Sequence, residues 1–530
     1  MVFATVFGTA LEWYDFYLFV VLAPAVGAQF FAPLDAGVRT LVTLLAFVAA
    51  FAVRPIGALI FGAIADRIGR KRVFVYTVLA MGGSTCAVGL LPGWEMLGVA
   101  APLLLVALRM LQGLAIGGEY GAAASYMAEH APAGARGRYT AWLQTTATLG
   151  LLAALLVEQG LRAVLGDRGF ADWGWRIPFL MSVLLLPLSI WVRLRLPESP
   201  RFEALRAGER LSASPLREVL GVATRRRVLL VALFGVTAGQ AVLWYTGQLY
   251  ALSFLQTAAG VEAADAQAMM TVALAFALPT FLVFGALSDR IGRRPLVIGG
   301  CLLAAALYVP IFDALIAAAN PAHGEAQRRA PIRLLADAAQ CRLQFDPVGV
   351  TAPATVCDQV RRQLAQQGLS YAREALPEGA PLQLIIGDRE LTLSGPVQRE
   401  TEAAVRRQID RLLEEAGYPT QADPARIDRG QVTALLWLLV VLAGIVYAPV
   451  AALLTELFPT RIRCTAIALP YHLGNGWFGG FLPAIAAASV AARGEALAGL
   501  GYPIAVALAT ALIALIALPE TRGRDLDRID

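Results

Sequence analysis

Apolar residues run along this chain in blocks of about twenty, separated by short polar stretches rich in Arg, Gly and Pro. Twelve such blocks fall near 3–31, 41–64, 73–91, 97–128, 139–159, 176–194, 228–255, 268–287, 295–318, 432–456, 464–490 and 500–518. Blocks of that length and polarity predict membrane-spanning helices, because a span of ~20 residues crosses the hydrocarbon core. The backbone must satisfy its own hydrogen bonds there, which argues for helix over isolated strand. The longer blocks allow tilt. The pattern therefore predicts an all-α polytopic membrane protein. The first block lacks the basic start and small-residue cleavage site of a signal peptide, so it reads as a retained helix. No basic tail precedes that helix, and a start upstream is expected.

The pattern also repeats. GAIADRIGRK (62–71) and GALSDRIGRR (285–294) share G-x-x-x-D-R-x-G-R-[KR], with Asp66 and Asp289 spaced 223 residues apart. PESPR (197–201) and PETRG (519–523) lie 322 apart, and Glu129 and Glu456, in EHAPAGARGRYTA and ELFPTRIRCTA, lie 327 apart. The spacing grows by roughly a hundred residues between the first pair and the others, so two six-helix halves are present and the second carries an insertion. The expected organisation is a bundle over 1–194, a linker over 195–227, three helices over 228–319, an insertion over 320–428, three helices over 429–518 and a tail over 519–530.

The insertion is polar, arginine-rich and without a span-length apolar run. PLQLIIGDRELTLSG predicts a hairpin turning at Gly387-Asp388. Residues 396–416 predict a helix, with Pro396 near its start and Gly417 after its end. A small α+β domain is expected, a loose linker being the alternative. Cys341 and Cys357 lie sixteen apart within it. In an oxidising compartment they should form a disulfide worth ~3 kcal/mol, two free thiols being the alternative. Cys86, Cys301 and Cys464 lie in or beside spans and read as packing residues. No metal site is expected, since His323 is the insertion's one histidine and has no ligand cluster around it.

Composition agrees with the pattern: 58% hydrophobic, 16% charged, mean hydropathy +0.62. Charge adds orientation. The connections on one side of the twelve spans, with the tail, hold 23 Lys or Arg, against 5 in the short connections on the other side. The excess places both termini in the cytoplasm and residues 320–428 outside it, in the periplasm of a Gram-negative host. Topology accounts for the net charge of +5, and nucleic acid need not be invoked.

Several polar residues sit where lipid would not tolerate them. GTALEWYDFYLFVVLAP (8–24) holds Glu12 and Asp15 on one helix face, and Glu12 falls ~14 Å along its helix, near the middle of a ~30 Å core. Such acids should face the bundle interior or a wet cavity. Arg54 interrupts the second block in FAVRPIG. Arg109, Gln112, Ile116 and Glu119 share one face of the fourth. Arg54 and Arg109 are expected to meet some of the acids between helices. In the seventh block, Gln240, Trp244 and Gln248 share a face with Tyr245 beside it, able to wall a small polar solute. The bland alternative is packing and an interfacial aromatic belt. His472 and Asn475 share a face of the eleventh block. A lone histidine more often packs, so Asn475 alone joins the candidate site. Asp313 lies toward an outer end, within reach of water.

The duplicated D-R-x-G-R-[KR] element, following the second and eighth blocks, resembles the major facilitator superfamily over all of the chain but the insertion. That resemblance implies two six-helix bundles around a central cavity, rocking to alternate access. It implies that Asp66, Arg67 and Arg70 form one cytoplasmic latch, and Asp289, Arg290 and Arg293 the other. Ordinary topology-setting loops are the plainer alternative. Glu129 and Glu456, near cytoplasmic helix ends, read as latch partners. GTALEWYDFYLF, RPIGALIFGAIADRIGRK, RMLQGLAIGGEYGAAASYMAE, and WGWRIPF followed by LPESPRF together look like the metabolite:proton symporter branch, whose members carry α-ketoglutarate, citrate, shikimate, proline and betaine.

The combined expectation is proton-coupled symport of a small carboxylate-bearing metabolite, α-ketoglutarate-like or shikimate-like acids ranking above betaine. Glu12, Asp15 and Glu119 are the proton-coupling candidates, because burial disfavours an ionised acid and lets it take up a proton. Arg54, Arg109, Gln112, Gln240, Trp244, Tyr245, Gln248 and Asn475 are the substrate-binding candidates, an arginine holding a carboxylate bidentately. Fixed interhelical ion pairs are the alternative. Other readings are a zwitterionic osmolyte carrier, a drug or sugar carrier, and a membrane sensor using the insertion. The sensor would need an output domain larger than the 193–227 stretch. No P-loop, HExxH or GxSxG element is present, so neither an enzyme nor a nucleotide-powered pump is expected. No cofactor is expected. The expected partners are a small organic acid or zwitterion, protons and the bilayer, for a monomer in a bacterial inner membrane.

Overall fold

A computed structural model describes the chain except residues 1, 35, 196, 338–340, 342–354, 394–398, 420, 527, 528 and 530. Among the described residues, ten helices are long and apolar enough to cross a membrane: Val48–Ile68, Arg70–Leu90, Ala100–His130, Arg136–Gly174, Arg176–Leu194, Ala223–Thr257, Ala263–Ile291, Arg294–Ala319, Arg429–Thr455 and Ala496–Ala517. A bent pair, Thr5–Val21 and Ala23–Phe30, kinks by 63° and supplies an eleventh. The eleventh predicted block, 464–490, is broken. Its first part Arg463–Leu473 and second part Leu482–Arg493 flank a wide π-helical turn at Gly474–Gly479. Pro470, three glycines and the wide turn interrupt regular helix there, the usual causes of a kink. Numbered in chain order, these are spans 1 to 12, the broken helix being span 11.

The two halves pack by the same rule. Span 2 lies along span 4 and span 1 along span 5, while span 3 pairs with span 6. In the second half span 8 lies along span 10, span 7 along span 11 and span 9 along span 12. Between halves, span 5 meets span 8 and span 11 meets span 2. Glycine makes the closest of these contacts possible. A Cβ at Gly57 or Gly113 would run into the backbone of Leu114 or Ala50, so spans 2 and 4 touch backbone to backbone, the small-residue packing that membranes favour.

The insertion folds as a small α+β unit with its own apolar core, formed by Ile332, Leu334, Leu382, Leu384, Val360, Leu364, Ile409 and Leu413 among others. Its sheet runs β2-β1-β3-β4 (Tyr371–Leu376, Ile332–Asp337, Leu382–Ile386, Arg389–Leu393), with β1 and β2 parallel and the other pairs antiparallel. The hairpin turns at Gly387-Asp388, Gly387 having φ +60°. The predicted helix spans Arg399–Glu415, with Gly417 just beyond it at φ +80°; Pro396 lies outside the described residues. A second helix, Val356–Gln366, packs beside it.

Cys341 and Cys357 are joined in a disulfide. It ties the end of β1 to the start of the Val356–Gln366 helix. Replacing both cysteines by serine should lower the insertion's stability by about 3 kcal/mol, the entropy of a loop of that length. Hydrogen exchange of the β1 and β3 amides measures it.

Candidate functional site

Three layers of polar residues lie between and within the two halves. The first is at the end carrying the repeated motif. Asp66 is buried, and its carboxylate accepts from Cys464 N (3.1 Å), Thr465 N (2.9 Å) and Thr465 Oγ1 (2.7 Å), so it caps the first turn of span 11 across the halves. Free N–H groups and the positive end of the helix dipole suit a carboxylate there. The second copy does the same in mirror sense. Asp289 accepts from Gly137 N and Arg138 N, both at 2.8 Å, capping span 5. The motif's first glycine makes room: a Cβ at Gly62 would lie 2.9 Å from Thr465 Cα.

Arginines surround each carboxylate. Arg70 lies 3.6 Å from Glu129, which also takes a 2.7 Å bond from Arg463. Arg293 lies 2.8 Å from Asp289 and 3.2 Å from Glu456, and Arg136 is 3.6 Å from Glu456. Arg67 donates to the Ala213 carbonyl, and the Arg290 carbonyl accepts from Arg522. Glu198 and Glu520, from PESPR and PETRG, complete the pattern: each accepts from the two amides that open the next span, Arg70 and Lys71 for one, Arg293 and Arg294 for the other. Burial opposes ionisation of Glu520, but the amides of Arg293, Arg522, Arg294 and Thr521 outweigh it and hold its carboxyl below the usual range. The motif's second glycine, Gly69 or Gly292, turns the chain at φ +107° in both copies.

The second layer lies inside the first half, and here the sequence expectation needs correction. Glu12 and Glu119 meet neither Arg54 nor Arg109. They share Arg193, at 2.6 and 2.7 Å, and Thr9 Oγ1 also donates to Glu119. Arg193 lies near the end of span 6 and reads, in sequence, as one of the topology-setting basic residues. It is instead 2% exposed. Two buried acids left without partners by composition alone were the signal that a further cation had to reach them. Asp15 accepts a 2.6 Å bond from Ser182 Oγ. With Glu12 it lines a cavity of about 10 Å³ walled by Val78, Gly82, Leu185 and Ser189, so both acids face spans 3 and 6 and not the other half. Arg109 donates to Gln112, Gln112 donates to Thr85 (2.8 Å), and Thr85 lies against Asp15. A polar chain thus joins Asp15 to Arg109.

The third layer is aromatic and lies where the halves meet. Arg54 is fully buried beside the Tyr245 hydroxyl, and among the described residues no hydrogen bond of good geometry meets its three guanidinium nitrogens. Ring faces hold it instead: Trp13 at 5.2 Å, Phe16 at 4.6 Å and Phe51 at 4.5 Å. Arg109 lies over the same Phe16 at 5.0 Å. Cation–ring attraction stabilises a guanidinium but leaves its donors unused. Across the interface Tyr17 stacks on Trp244 (5.5 Å) and Phe51 meets Tyr245 edge-on (5.7 Å). Gln240 and Asn475 exchange hydrogen bonds, and Gln248 pairs with Thr148 of the first half. Of the candidates, Arg54, Trp244, Tyr245, Gln240, Gln248 and Asn475 gather here, with Arg109 at the edge; Gln112 belongs to the polar chain. Sequence reading missed Tyr120, stacked on Tyr471 at 3.3 Å, and Gln144, which donates to the Tyr447 carbonyl at 2.9 Å. His472, set aside on sequence, sits fully buried beside Tyr120 and Tyr471, with neither ring nitrogen bonded among the described residues.

Similar proteins bear on the family and the fold. Residues 1–223 match the family described as sugar (and other) transporter. The α-ketoglutarate permease of Escherichia coli (strain K12) is 37% identical over 314 residues, 59% of this chain and 71% of the permease. The glycine betaine/proline/ectoine/pipecolic acid transporter OusA of Dickeya dadantii is 32% identical over 315 residues, 58% of this chain. There the match spans 63% of the relative's own length, under two thirds. In fold, the proton:xylose symporter XylE superposes with a TM-score of 0.59 at 19% identity, covering 100% of this chain and 97% of that one. The chain belongs to the major facilitator superfamily of membrane transporters, in the branch that includes α-ketoglutarate permease and the proline/betaine transporters.

Proposed function

We propose that the protein carries a small carboxylate-bearing metabolite together with protons, by alternating access, across a bacterial inner membrane. The observation that carries this reading is Arg54. It is a fully buried cation with unused donors, at the junction of the halves, walled by aromatic rings. A guanidinium is matched to a carboxylate, which would take up those donors bidentately. The relatives named for α-ketoglutarate and for betaine both act on solutes bearing a carboxylate. A second reading, a zwitterionic osmolyte, draws on the ring faces, which also suit a quaternary ammonium. The two arginines beside Phe16 weigh against it, because they repel an added cation.

Charge balance supplies the coupling. Around the centre of the first six spans lie three buried acids, Glu12, Asp15 and Glu119, and three buried arginines, Arg54, Arg109 and Arg193. A monocarboxylate entering at Arg54 leaves one negative charge in surplus in a low-dielectric interior, and a dicarboxylate leaves two, which is costly there. One proton taken up for each surplus charge removes it, the first of them on an acid of this cluster. Asp15 is the proposed carrier: hydroxyls face it, whereas Arg193 serves Glu12 and Glu119. The chain through Thr85 and Gln112 links it to Arg109, next to Arg54 over Phe16. The motif layer would then latch the cytoplasmic end, with both termini on that side and the insertion outside. The proposed division of the chain is the one expected from the repeats.

The test is uptake into proteoliposomes under an imposed inward proton gradient, offering labelled α-ketoglutarate, shikimate, citrate and betaine. One of the acids should accumulate, and accumulation should collapse without the gradient. Asp15→Asn should keep downhill exchange and lose gradient-driven accumulation by tenfold or more. Accumulation indifferent to the gradient, or an Asp15→Asn protein still driven by it, would sink the coupling.

A further inference from the structure

Span 11 is broken and touches both the central layer and the motif layer, and its two ends are held by different parts of the protein. Its first turn is capped across the halves by Asp66. Its last turn is capped by the insertion. Arg361 Nη2 donates to the carbonyls of Ala491 (3.0 Å) and Ala492 (2.9 Å), and Tyr371 N donates to the carbonyl of Gly494 (2.9 Å). A guanidinium on the last carbonyls of a helix satisfies acceptors the helix leaves open and meets the negative end of its dipole. Gly494 ends the helix at φ +77° under the Tyr371 ring, where a Cβ would lie 2.6 Å from Cζ. Ala496 N then donates to Ser370 Oγ.

Arg361 is itself built in. It is 4% exposed, its Nε donates to Tyr371 Oη at 3.3 Å, and Asp358 lies 3.9 Å away. Its helix begins at Val356, next to Cys357 of the disulfide. Between the two caps lies the π-helical turn Gly474–Gly479, which carries Asn475 into the central layer against Gln240. Two fixed ends with a weak point between them form a lever. The segment linking central site to insertion can swing only as far as its outer cap permits.

We propose that Arg361 is a positioning residue for the transport cycle: from the insertion it holds the outer half of span 11 in the arrangement that goes with a closed motif end. The insertion is then a brace on one gate helix, set by the disulfide that anchors the Arg361 helix. The inference needs alternating access but no particular substrate and no proton.

The native thiol Cys464 reports the outcome. It is fully buried at the inner end of span 11, beside Ser125 of the first half. The full chain in lipid nanodiscs is treated with N-ethylmaleimide, and modification of the Cys464 peptide is followed by mass spectrometry. Hydrogen exchange is read over 486–500 in the same samples. Arg361→Ala should raise Cys464 labelling and the 486–500 exchange by about tenfold, and Arg361→Lys should restore part of both. Exchange that rises within 356–393 alone, or a Cys464 rate unmoved by Arg361→Ala, would overturn the proposal, since a residue that merely stabilises the insertion changes neither end of span 11. Should Arg361→Ala elute misfolded, wild type with its disulfide reduced takes its place under the same expectation and the same overturning results.

Discussion

Replacing Arg54 by alanine should abolish carboxylate uptake, a loss of at least a hundredfold, while leaving the protein folded. The two halves of that expectation come from the same geometry. Ring faces hold the guanidinium and among the described residues no carboxylate pairs with it, so truncation breaks no ion pair, and one proton taken up by Asp15 offsets the charge it removes. What is lost is attraction to Trp13, Phe16 and Phe51, and the space is bounded by rings that can relax. A bound carboxylate, by contrast, would lose a charge-assisted bidentate partner in a dry site, worth several kcal/mol, and 1.4 kcal/mol is already tenfold. Arg54→Lys should recover little, because an ammonium offers neither the fork nor the flat face that three rings hold. The measurement is binding of labelled α-ketoglutarate to purified protein by scintillation proximity, alongside elution on gel filtration. Wild-type affinity in Arg54→Ala would move the anchor elsewhere and leave Arg54 a packing residue.

The contrast with the second layer shows what a sequence can reveal about buried charge. Glu12, Asp15 and Glu119 were legible as residues needing an explanation, because lipid penalises an acid whatever it packs against. Their partner was not. Arg193 sits at the last turn of a span, where cations are ordinary, and periodicity does not say that a long side chain turns inward. The same limit applies to facing. Trp13 and Asp15 stand two residues apart on span 1, one meeting Arg54 at the junction of the halves and the other Ser182 within the first half. Helical spacing separates the two faces, but only the packing of span 1 against its neighbours decides which of them looks across the interface.

Repetition was legible for a different reason. Each motif copy caps a helix in the opposite half, Asp66 on span 11 and Asp289 on span 5. Duplicated function leaves duplicated letters, so the spacing in the chain marks both. The aromatic layer leaves no such trace. Tyr120, Tyr447 and Tyr471 come from three spans, at positions where a tyrosine could equally face lipid headgroups. The break in span 11 also left no mark on the block, since the apolar stretches on either side of GNGWFG together reach span length.

Asp66→Ala should open the end that carries the motifs. The Asp66 side chain accepts two backbone amides and one hydroxyl from the opposite half in a fully dry setting. Losing a helix cap costs about 0.5–2 kcal/mol, and two buried amides without acceptors cost about 1–3 kcal/mol each. Opening the interface wets those amides and recovers part of that cost, so the open arrangement gains relative to the closed one by roughly 3 kcal/mol. That is about a hundredfold in population. Arg70 then keeps Glu129, which also serves Arg463, and the Thr460 carbonyl. Cys464, fully buried against Ser125, again reads the result through its rate of alkylation by N-ethylmaleimide. The rate should rise about a hundredfold in Asp66→Ala and less in Asp66→Asn, whose amide oxygen can still accept one of the bonds. Asp289→Ala should raise the same rate, since its caps on span 5 hold the same end shut by the mirror-image contact. If Cys464 stays protected in Asp66→Ala and in the double variant with Asp289→Ala, the closed end is held by Glu129, Arg463 and Glu456 instead, and the repeated carboxylates cap helices without latching the halves.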